Sequence, residues 1–340
     1  MCGIFGIILK PGARFSRRET RLALEELFRL SESRGKESAG IHVRSGCGDR
    51  AWTLKGDVSG TRLLKTSEYR RLIDQALSSS FDAMEESPAE SFIALCHSRL
   101  VTNGQAERIE NNQPVRYRGV TVVHNGIIVN VDELWQRNQG LKRHSEVDTE
   151  IAAALLASRM ENDGNSIEAT RRLFSDIEGA ASIAWTAQDL RACLLATNTG
   201  DISFYSAPGR GVFVFASEPY ILGTALEKLF GEQGFDRDGI TWLRPGRMCR
   251  IGTGDLSVQV MQMDGPEPAG LPSEETCPDA TRHESFSVAS SRPPMILNRD
   301  ADESLLRYSE RSMREIRRCS RCILPETFPY IEFDESGECN

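Results

Sequence analysis

The sequence predicts a mixed α+β protein in which sheets are stacked on one another and helices cover them. Short apolar segments typical of strands come in runs, and the segments with helical periodicity lie apart from those runs. From about residue 263 to 299 the periodicity disappears, while Pro, Ser, Glu and Thr accumulate. These observations predict a structured region followed by a linker.

The first half of the chain has a clear helix start. Ser16 and Glu19 have the spacing of a capping box, and Leu24, Leu27 and Phe28 follow at helical spacing. Two further helices are predicted, one after residue 148 and one over 166–174. The apolar segments that predict strands are 4–9, 38–43, 93–96 and 120–124.

The second half repeats the pattern and then changes character. Strands are predicted over 181–186, 192–197, 203–206, 212–216 and 247–251. Pro219 predicts the first turn of a helix. We therefore expect one domain over 2–262, a linker over 263–302, and a helix with a cysteine-bearing tail over 303–340.

Composition excludes several classes of protein. The 340 residues carry a formal net charge of −8, which gives no electrostatic support to a nucleic-acid role. No run approaches the ~18 apolar residues of a membrane helix, and no basic region precedes the apolar start. Nine cysteines without a secretion signal do not form a disulfide framework. We expect a cytoplasmic protein with no nucleic-acid or membrane partner.

Cys2 is the first candidate for chemistry. If Met1 is removed, its thiol and a free α-amino group lie on one residue, and both titrate near neutral pH. Such a residue is a nucleophile that carries its own base. The alternative is a small buried residue at the start of a strand, and the first eight residues alone do not decide between the two.

Four polar motifs follow predicted strands or open a helix, where functional residues concentrate. They are RGKESAG at 34–40, HSRLVTNG at 97–104, HNGII at 124–128 and DTE at 148–150. With Cys2, and in this order, they resemble the class II, N-terminal-nucleophile glutamine amidotransferases over roughly residues 2–251. The resemblance implies a four-layer αββα sandwich with two antiparallel sheets packed face to face.

The resemblance also implies a mechanism that needs no cofactor. Cys2 would attack the side-chain amide carbon of L-glutamine, its α-amino group would act as the base, and a thioester would release glutamate. Asn125 and the backbone N–H of Gly126 would form the oxyanion hole. For Asn125-Gly126 taken alone, a hairpin turn is at least as good an interpretation.

Four more residues would bind the substrate. Arg99 and Thr102 would hold its α-carboxylate, and Asp148 would pair with its ammonium group. Leu100 stands where the phosphosugar branch of the family usually has Trp, so the Arg-Leu pair is closer to the asparagine synthetase branch. Taken alone, Asp148 is more typical of a helix N-cap, and a surface cation is the usual interpretation of an arginine such as Arg99.

The tail carries Cys319, Cys322 and Cys339. It resembles the opening segment of N-acetyl sugar amidotransferases. Three cysteines are three ligands of a four-thiolate zinc site, which requires tetrahedral closure. The alternative is three reduced structural cysteines.

The predicted function is a glutaminase that supplies ammonia to an amidation, with a sugar as one candidate acceptor. We expect a synthetase domain or subunit as the partner, because free release would waste the ammonia. The chain is then either a piece of a longer enzyme or a free-standing glutaminase. The competing hypotheses are a catalytically silent glutamine-sensing or assembly module, and an N-terminal-nucleophile hydrolase that acts on another amide.

Overall fold

The structure is a computed structural model that describes residues 2–46, 50–82, 87–100, 104–231, 234–265, 282–290, 315–327 and 331–339. The chain divides into two compact units, Met1–Ser290 and Ser291–Asn340. The first unit contains all the strands and helices described next.

The strands are β1 (Gly3–Leu9), β2 (Ser38–Ser45), β3 (Arg50–Gly56), β4 (Phe92–Arg99), β5 (Val115–Tyr117), β6 (Val120–Ile128), β7 (Gly179–Ala187), β8 (Ala192–Thr197), β9 (Ser203–Ala207), β10 (Val212–Ala216), β11 (Thr241–Trp242), β12 (Arg247–Gly252), β13 (Val258–Gln262) and β14 (Arg282–Val288). The helices are α1 (Arg17–Ser31), α2 (Gly60–Leu63), α3 (Ser67–Ser80), α4 (Val131–Arg137), α5 (Thr149–Asp163), α6 (Ser166–Asp176) and α7 (Pro219–Phe230).

The strands form two sheets. The first has the order β11-β9-β10-β1-β4-β2-β3-β14, and the second has the order β13-β12-β8-β7-β6-β5. All pairs are antiparallel except β14, which joins β3 in a parallel arrangement. Strand β1 therefore lies in the middle of the first sheet, between β10 and β4.

Side chains of β1 alternate between two cores, because successive residues of a strand point to opposite faces of a sheet. Phe5 and Ile7 belong to the core with α1, α3 and α7, whereas Ile4 and Ile8 belong to the core shared with the second sheet. Helices α5 and α6 cover the outer face of the second sheet. The four-layer αββα prediction is confirmed.

Most predicted elements are present, and the capping box of Ser16 and Glu19 is complete. The helix that it opens ends at Ser31. Strand β14 lies inside the range predicted as a linker. Residues 303–314, in the range predicted as a helix and tail, lie outside the described residues. Across the described part of the chain, every helix is too short or too polar to span a bilayer.

Arg44 connects the two sheets from inside the protein. Its guanidinium donates to the carbonyl oxygens of Ala187 (2.5 Å), Gln188 (3.2 Å) and Leu190 (2.6 Å). Burial lowers the pKa of Arg44 to about 10, so the side chain remains charged at neutral pH. This side chain supplies hydrogen bonds to three carbonyl groups at the end of β7 and in the turn to β8.

We expect Arg44→Met to lower the free energy of unfolding by about 3 kcal/mol or more. The substitution leaves those carbonyl groups unpaired, and an unsatisfied buried acceptor costs about 1–3 kcal/mol. Urea denaturation of both proteins measures the difference. Arg18→Met is the matched control, because Arg18 is exposed. Equal losses in the two variants would contradict the structural role of Arg44.

Candidate active site

The motifs around Cys2 meet at one end of the central strands of the first sheet. In the register of β1 and β4, Gly3 lies opposite Ser98, and Ser98 also lies opposite Ala39 of β2. Cys2, the residue before β1, and Arg99, the last residue of β4, therefore lie at the same end of the paired strands, because antiparallel pairing brings these distant segments together.

Cys2 is a buried thiol with 7% of its surface exposed. Its Sγ donates to the carbonyl oxygen of Leu100 at 3.4 Å. Burial raises the pKa of the thiol, while the positive charge of Arg99 opposes that rise and the negative charge of Asp148 adds to it. The thiol is therefore protonated at neutral pH and interacts electrostatically with both predicted substrate-binding charges.

Two contacts hold the N-terminal segment in place. Arg34 donates from Nε to the carbonyl oxygen of Cys2 at 3.2 Å and forms an ion pair with Glu218. The hydroxyl of Ser217 accepts from the N–H of Ile4 at 2.8 Å and donates to its carbonyl oxygen at 3.2 Å. These contacts fix the backbone on both sides of Gly3.

Arg99 is 2% exposed and directs its guanidinium to groups of the loop that follows β4. It donates from Nη1 to Oδ1 of Asn112 at 2.8 Å and from Nη2 to the carbonyl oxygen of Gly104 at 3.1 Å. The interpretation of Arg99 as a surface cation is wrong, because the side chain is buried. Thr102 lies outside the described residues.

A cavity of about 430 Å³ opens beside the Cys2 segment. Leu100, whose carbonyl oxygen binds the Cys2 thiol, lines it together with Arg34, Gly35 and Glu218. Gly35 packs so tightly that a Cβ there would lie 2.2 Å from the carbonyl carbon of Arg99. Leu100 itself is 39% exposed. The cavity borders Leu100, which contacts the thiol, but Cys2, Arg99, Asn125 and Asp148 are not among its lining residues.

Asn125 and Gly126 are both in β6, so the isolated-turn interpretation of this dipeptide is wrong. Asn125 is 2% exposed, and neither atom of its side-chain amide has a hydrogen-bond partner among the described residues. Gly126 has a φ of 145°, and a Cβ there would lie 1.9 Å from the carbonyl oxygen of Ala180. A buried amide without partners is costly and is explained when a ligand supplies them.

His124, the residue before Asn125, is held by two side chains. The Gln113 amide accepts from the N–H of His124 at 2.6 Å and donates to its carbonyl oxygen at 3.0 Å. Nε2 of His97 lies 3.2 Å from the same carbonyl oxygen. His97 is in β4 and His124 in β6, so this contact connects the two sheets close to Cys2.

Asp148 comes directly before α5 and is 5% exposed. Its side chain makes no capping bond to the helix, and instead Oδ2 accepts from the N–H of Ile128 at 3.0 Å. Burial acts to raise the pKa of Asp148, but His124 and the N–H groups of Ile128 and Thr149 hold it below its usual value. Asp148 therefore occupies the N-cap position without a side-chain capping bond, and its carboxylate is ionised at neutral pH.

The first unit thus brings together Cys2, Leu100, Arg99 and Asp148 through contacts or charge. Asn125 is connected to them through the His97–His124 contact. Sequence reasoning missed the roles of Asn112 and Gln113, the side chains that bind Arg99 and His124. Three consecutive amide residues before Pro114 were the only local signal, and a sequence does not show whether an amide is buried.

The tail cysteines belong to the second unit. The sulfur atoms of Cys319, Cys322 and Cys339 all lie within 4.8 Å of one another. Cysteine thiolates at such distances are a donor set that a metal ion accepts.

Comparison with known proteins agrees with this geometry. Residues 97–224 match the model of a family described as a glutamine amidotransferase domain. A glutamine–fructose-6-phosphate aminotransferase of Pyrobaculum aerophilum is 31% identical over 223 residues, which is 64% of this chain and 33% of the relative. The corresponding enzyme of Rhizobium meliloti is 30% identical over 267 residues, 78% of this chain and 37% of the relative.

The fold is shared with a solved structure. Glutamine phosphoribosylpyrophosphate amidotransferase of B. subtilis superposes with a TM-score of 0.52 at 22% identity, covering 77% of this chain and 49% of that one. The chain spans about a third of the length of these two sequence relatives.

Proposed function

We propose that this chain, which contains a class II glutamine amidotransferase domain, hydrolyses L-glutamine to L-glutamate and ammonia at Cys2. One observation carries the proposal. The buried amide of Asn125 lacks a partner among the described residues, and it lies one residue from the contact that connects β6 to the Cys2 end of β4. A substrate oxygen that acquires negative charge satisfies such a donor.

The nucleophile in this proposal is Cys2 after removal of Met1. Since burial keeps its thiol protonated, attack requires a nearby base. The buried ring of His97 does not meet that need, because burial and the charge of Arg99 lower its pKa to about 3. The α-amino group that Met1 removal exposes titrates near ~7.7–8.0 and lies on the same residue.

The reaction then proceeds in two balanced steps. Sulfur forms a bond to the amide carbon as the α-amino group takes the thiol proton, and the C–N bond breaks as the ammonium group returns a proton to the departing ammonia. Water next attacks the thioester and releases glutamate and the thiol. In both steps the charge on the substrate oxygen would be held by the Asn125 amide and the N–H of Gly126.

Two opposite charges would orient the substrate. The guanidinium of Arg99 is suited to the α-carboxylate, because its fork donates to both oxygens at once. The Asp148 carboxylate would accept from the α-ammonium group. Both charges act on the Cys2 thiol electrostatically, which supports the proposal that they hold the substrate beside the nucleophile.

We expect Asp148→Asn to raise KM for glutamine about 10- to 100-fold with a smaller change in kcat. A hydrogen bond to a charged group contributes about 1.5–3 kcal/mol, and the amide retains an oxygen that accepts from Ile128. Steady-state kinetics measure the change, with exposed Asp132→Asn as the control. In the wild-type protein, glutamine binding should weaken only at acid pH. The pKa of Asp148 is lowered, so its negative charge is lost only as the pH falls through that lowered value.

Gln113 is proposed as a positioning residue for the oxyanion hole. We expect Gln113→Ala to lower kcat by about 10- to 100-fold with little change in KM, because a displacement of about 1 Å near reacting groups has such an effect. Exposed Gln136→Ala is the matched control. A change in KM alone, or in thermal stability alone, would argue against positioning.

The ammonia partner is a further part of the proposal. We propose a synthetase domain or subunit as the acceptor. We also propose the division of the chain into glutaminase (2–262), linker (263–302) and tail (303–340), with strand β14 as the part of the linker that joins the first sheet. The relatives support this, because both are named for transfer of nitrogen from glutamine and both are much longer than this chain. The proposed hydrolysis needs no cofactor, and metal binding by the tail is argued separately below.

The test of the proposed function combines intact mass with a glutamate-release assay. The mass should show loss of Met1, and the processed protein should release glutamate and ammonia from glutamine in equal amounts. Retention of Met1 together with tight glutamine binding and no turnover would support the silent sensing module instead.

A further inference from the structure

The described part of the second unit consists of two tight turns that carry the three cysteines. In the first turn, the N–H of Cys319 donates to the carbonyl oxygen of Leu324 at 2.9 Å, so Cys319 and Cys322 lie at its two sides. The second turn is held by Asp334, which accepts from the N–H groups of Ser336 and Glu338, and it leads to Cys339. The two turns thus bring the three sulfur atoms close together.

The sulfur of Cys319 is at the centre of this arrangement. It accepts from the backbone N–H groups of Arg321 (3.4 Å), Cys322 (3.4 Å) and Cys339 (3.3 Å), and the residue is 2% exposed. Three N–H donors aimed at one sulfur favour a thiolate over a thiol. The same bonds hold both turns around that sulfur, although the turns are separated in sequence.

Apolar burial does not explain this order. Among residues 315–327 and 331–339, Cys319 alone is buried, and Ile323 is 73% exposed. Very small units with little core require a disulfide, a metal or a partner to fold. The described cysteines form no disulfide, and among the remaining possibilities the convergence of three sulfur atoms favours a metal.

We propose that this unit binds one Zn²⁺ through the thiolates of Cys319, Cys322 and Cys339, with the fourth ligand supplied from outside the described residues. Zinc accepts thiolates at about 2.3 Å in a tetrahedron, which places two bound sulfur atoms about 3.8 Å apart. Cys322 and Cys339 are separated by 3.3 Å, and all three sulfur atoms lie within 4.8 Å, so small rotations about the side chains suffice. Three soft ligands favour zinc over Mg²⁺ or Ca²⁺.

The first experiment measures metal in the full-length chain, purified under reducing conditions without chelator. We expect about one zinc per chain by elemental analysis. Removal by a chelator should increase proteolytic cleavage within residues 315–339, and added zinc should restore protection, because metal binding is coupled to folding in such units. Cobalt in place of zinc should give a thiolate-to-cobalt absorption band.

Variants then locate the ion. Cys319→Ser, Cys322→Ser and Cys339→Ser should each weaken zinc affinity at least tenfold and remove the cobalt band. Arg321→Ala, which changes a residue between two of the cysteines but removes no sulfur, should retain both. Glutamate release at Cys2 is a separate assay, so failure of one proposal is distinguishable from failure of the other.

Three outcomes would overturn the proposal. One is a chain that stays metal-free with reduced thiols in excess zinc. Another is a native Cys322–Cys339 disulfide that protects the tail without metal. The last is zinc that persists in all three serine variants and is therefore bound elsewhere.

Discussion

Cys2→Ala should lower the rate of glutamate release by a factor on the order of 10⁶, to the background of the assay. The substitution removes the sulfur that forms the thioester, and loss of the nucleophile in other covalent enzymes has an effect of this size. The side chain is small and already buried, so the variant should fold. Glutamate release and thermal unfolding, measured on the same preparations, test both statements.

A second variant separates the thiol from its base. An N-terminal tag that is not removed keeps the Cys2 thiol but blocks its α-amino group, and we expect a comparable loss of turnover. Cys193→Ala is the matched cysteine control, because that thiol is fully buried between the sheets and burial raises its pKa to about 12. Full activity in the tagged protein would show that another group is the base.

Asn125→Ala should lower kcat by about 10²–10³-fold with little change in KM. The amide donates to charge that develops on the substrate oxygen in the transition state, and one such donor contributes about 3–4 kcal/mol to catalysis. Binding of the ground state depends instead on the charges of Arg99 and Asp148. Full kinetic curves for both proteins separate the two constants.

The same substitution, which should reduce activity, should not reduce stability. Since the Asn125 amide has no hydrogen-bond partner among the described residues, its removal should leave the free energy of unfolding unchanged or slightly higher. Asn112→Ala is the comparison, because the Asn112 amide binds Arg99 at 2.8 Å and the carbonyl oxygen of Ala106 at 2.6 Å. A clear loss of stability in Asn125→Ala would indicate a structural amide and contradict the proposed oxyanion hole.

Local patterns predicted many elements because their signals lie within a few residues. The capping box of Ser16 formed as expected, and β8 and β10 begin and end where the apolar segments do. Helix α3 is absent from the predicted elements although its buried residues recur at helical spacing. Strand β14 carries no local signal of this kind. It forms a strand because it pairs with the edge of β3, which is distant in sequence.

In the candidate site, too, local patterns predicted some features, and contacts between distant segments could not be predicted. Motif order predicted Cys2, Arg99, Asn125 and Asp148, and the structure buries all four. The tight amide clamp of Gln113 on His124 could not be predicted, because the two are 11 residues apart and the clamp exists only once β5 and β6 are paired. The missing partners of Asn125 are likewise a property of the assembled sheets.

The sequence by itself determined the residue types, the alternation of each strand and the helix starts, because these depend on neighbours along the chain. Only the tertiary structure decided that β1 lies between strands that end about 90 and more than 200 residues further on. It also decided which buried polar groups find partners. The physical reason is that hydrogen bonding and burial are completed by residues distant in sequence, and local propensity does not encode them.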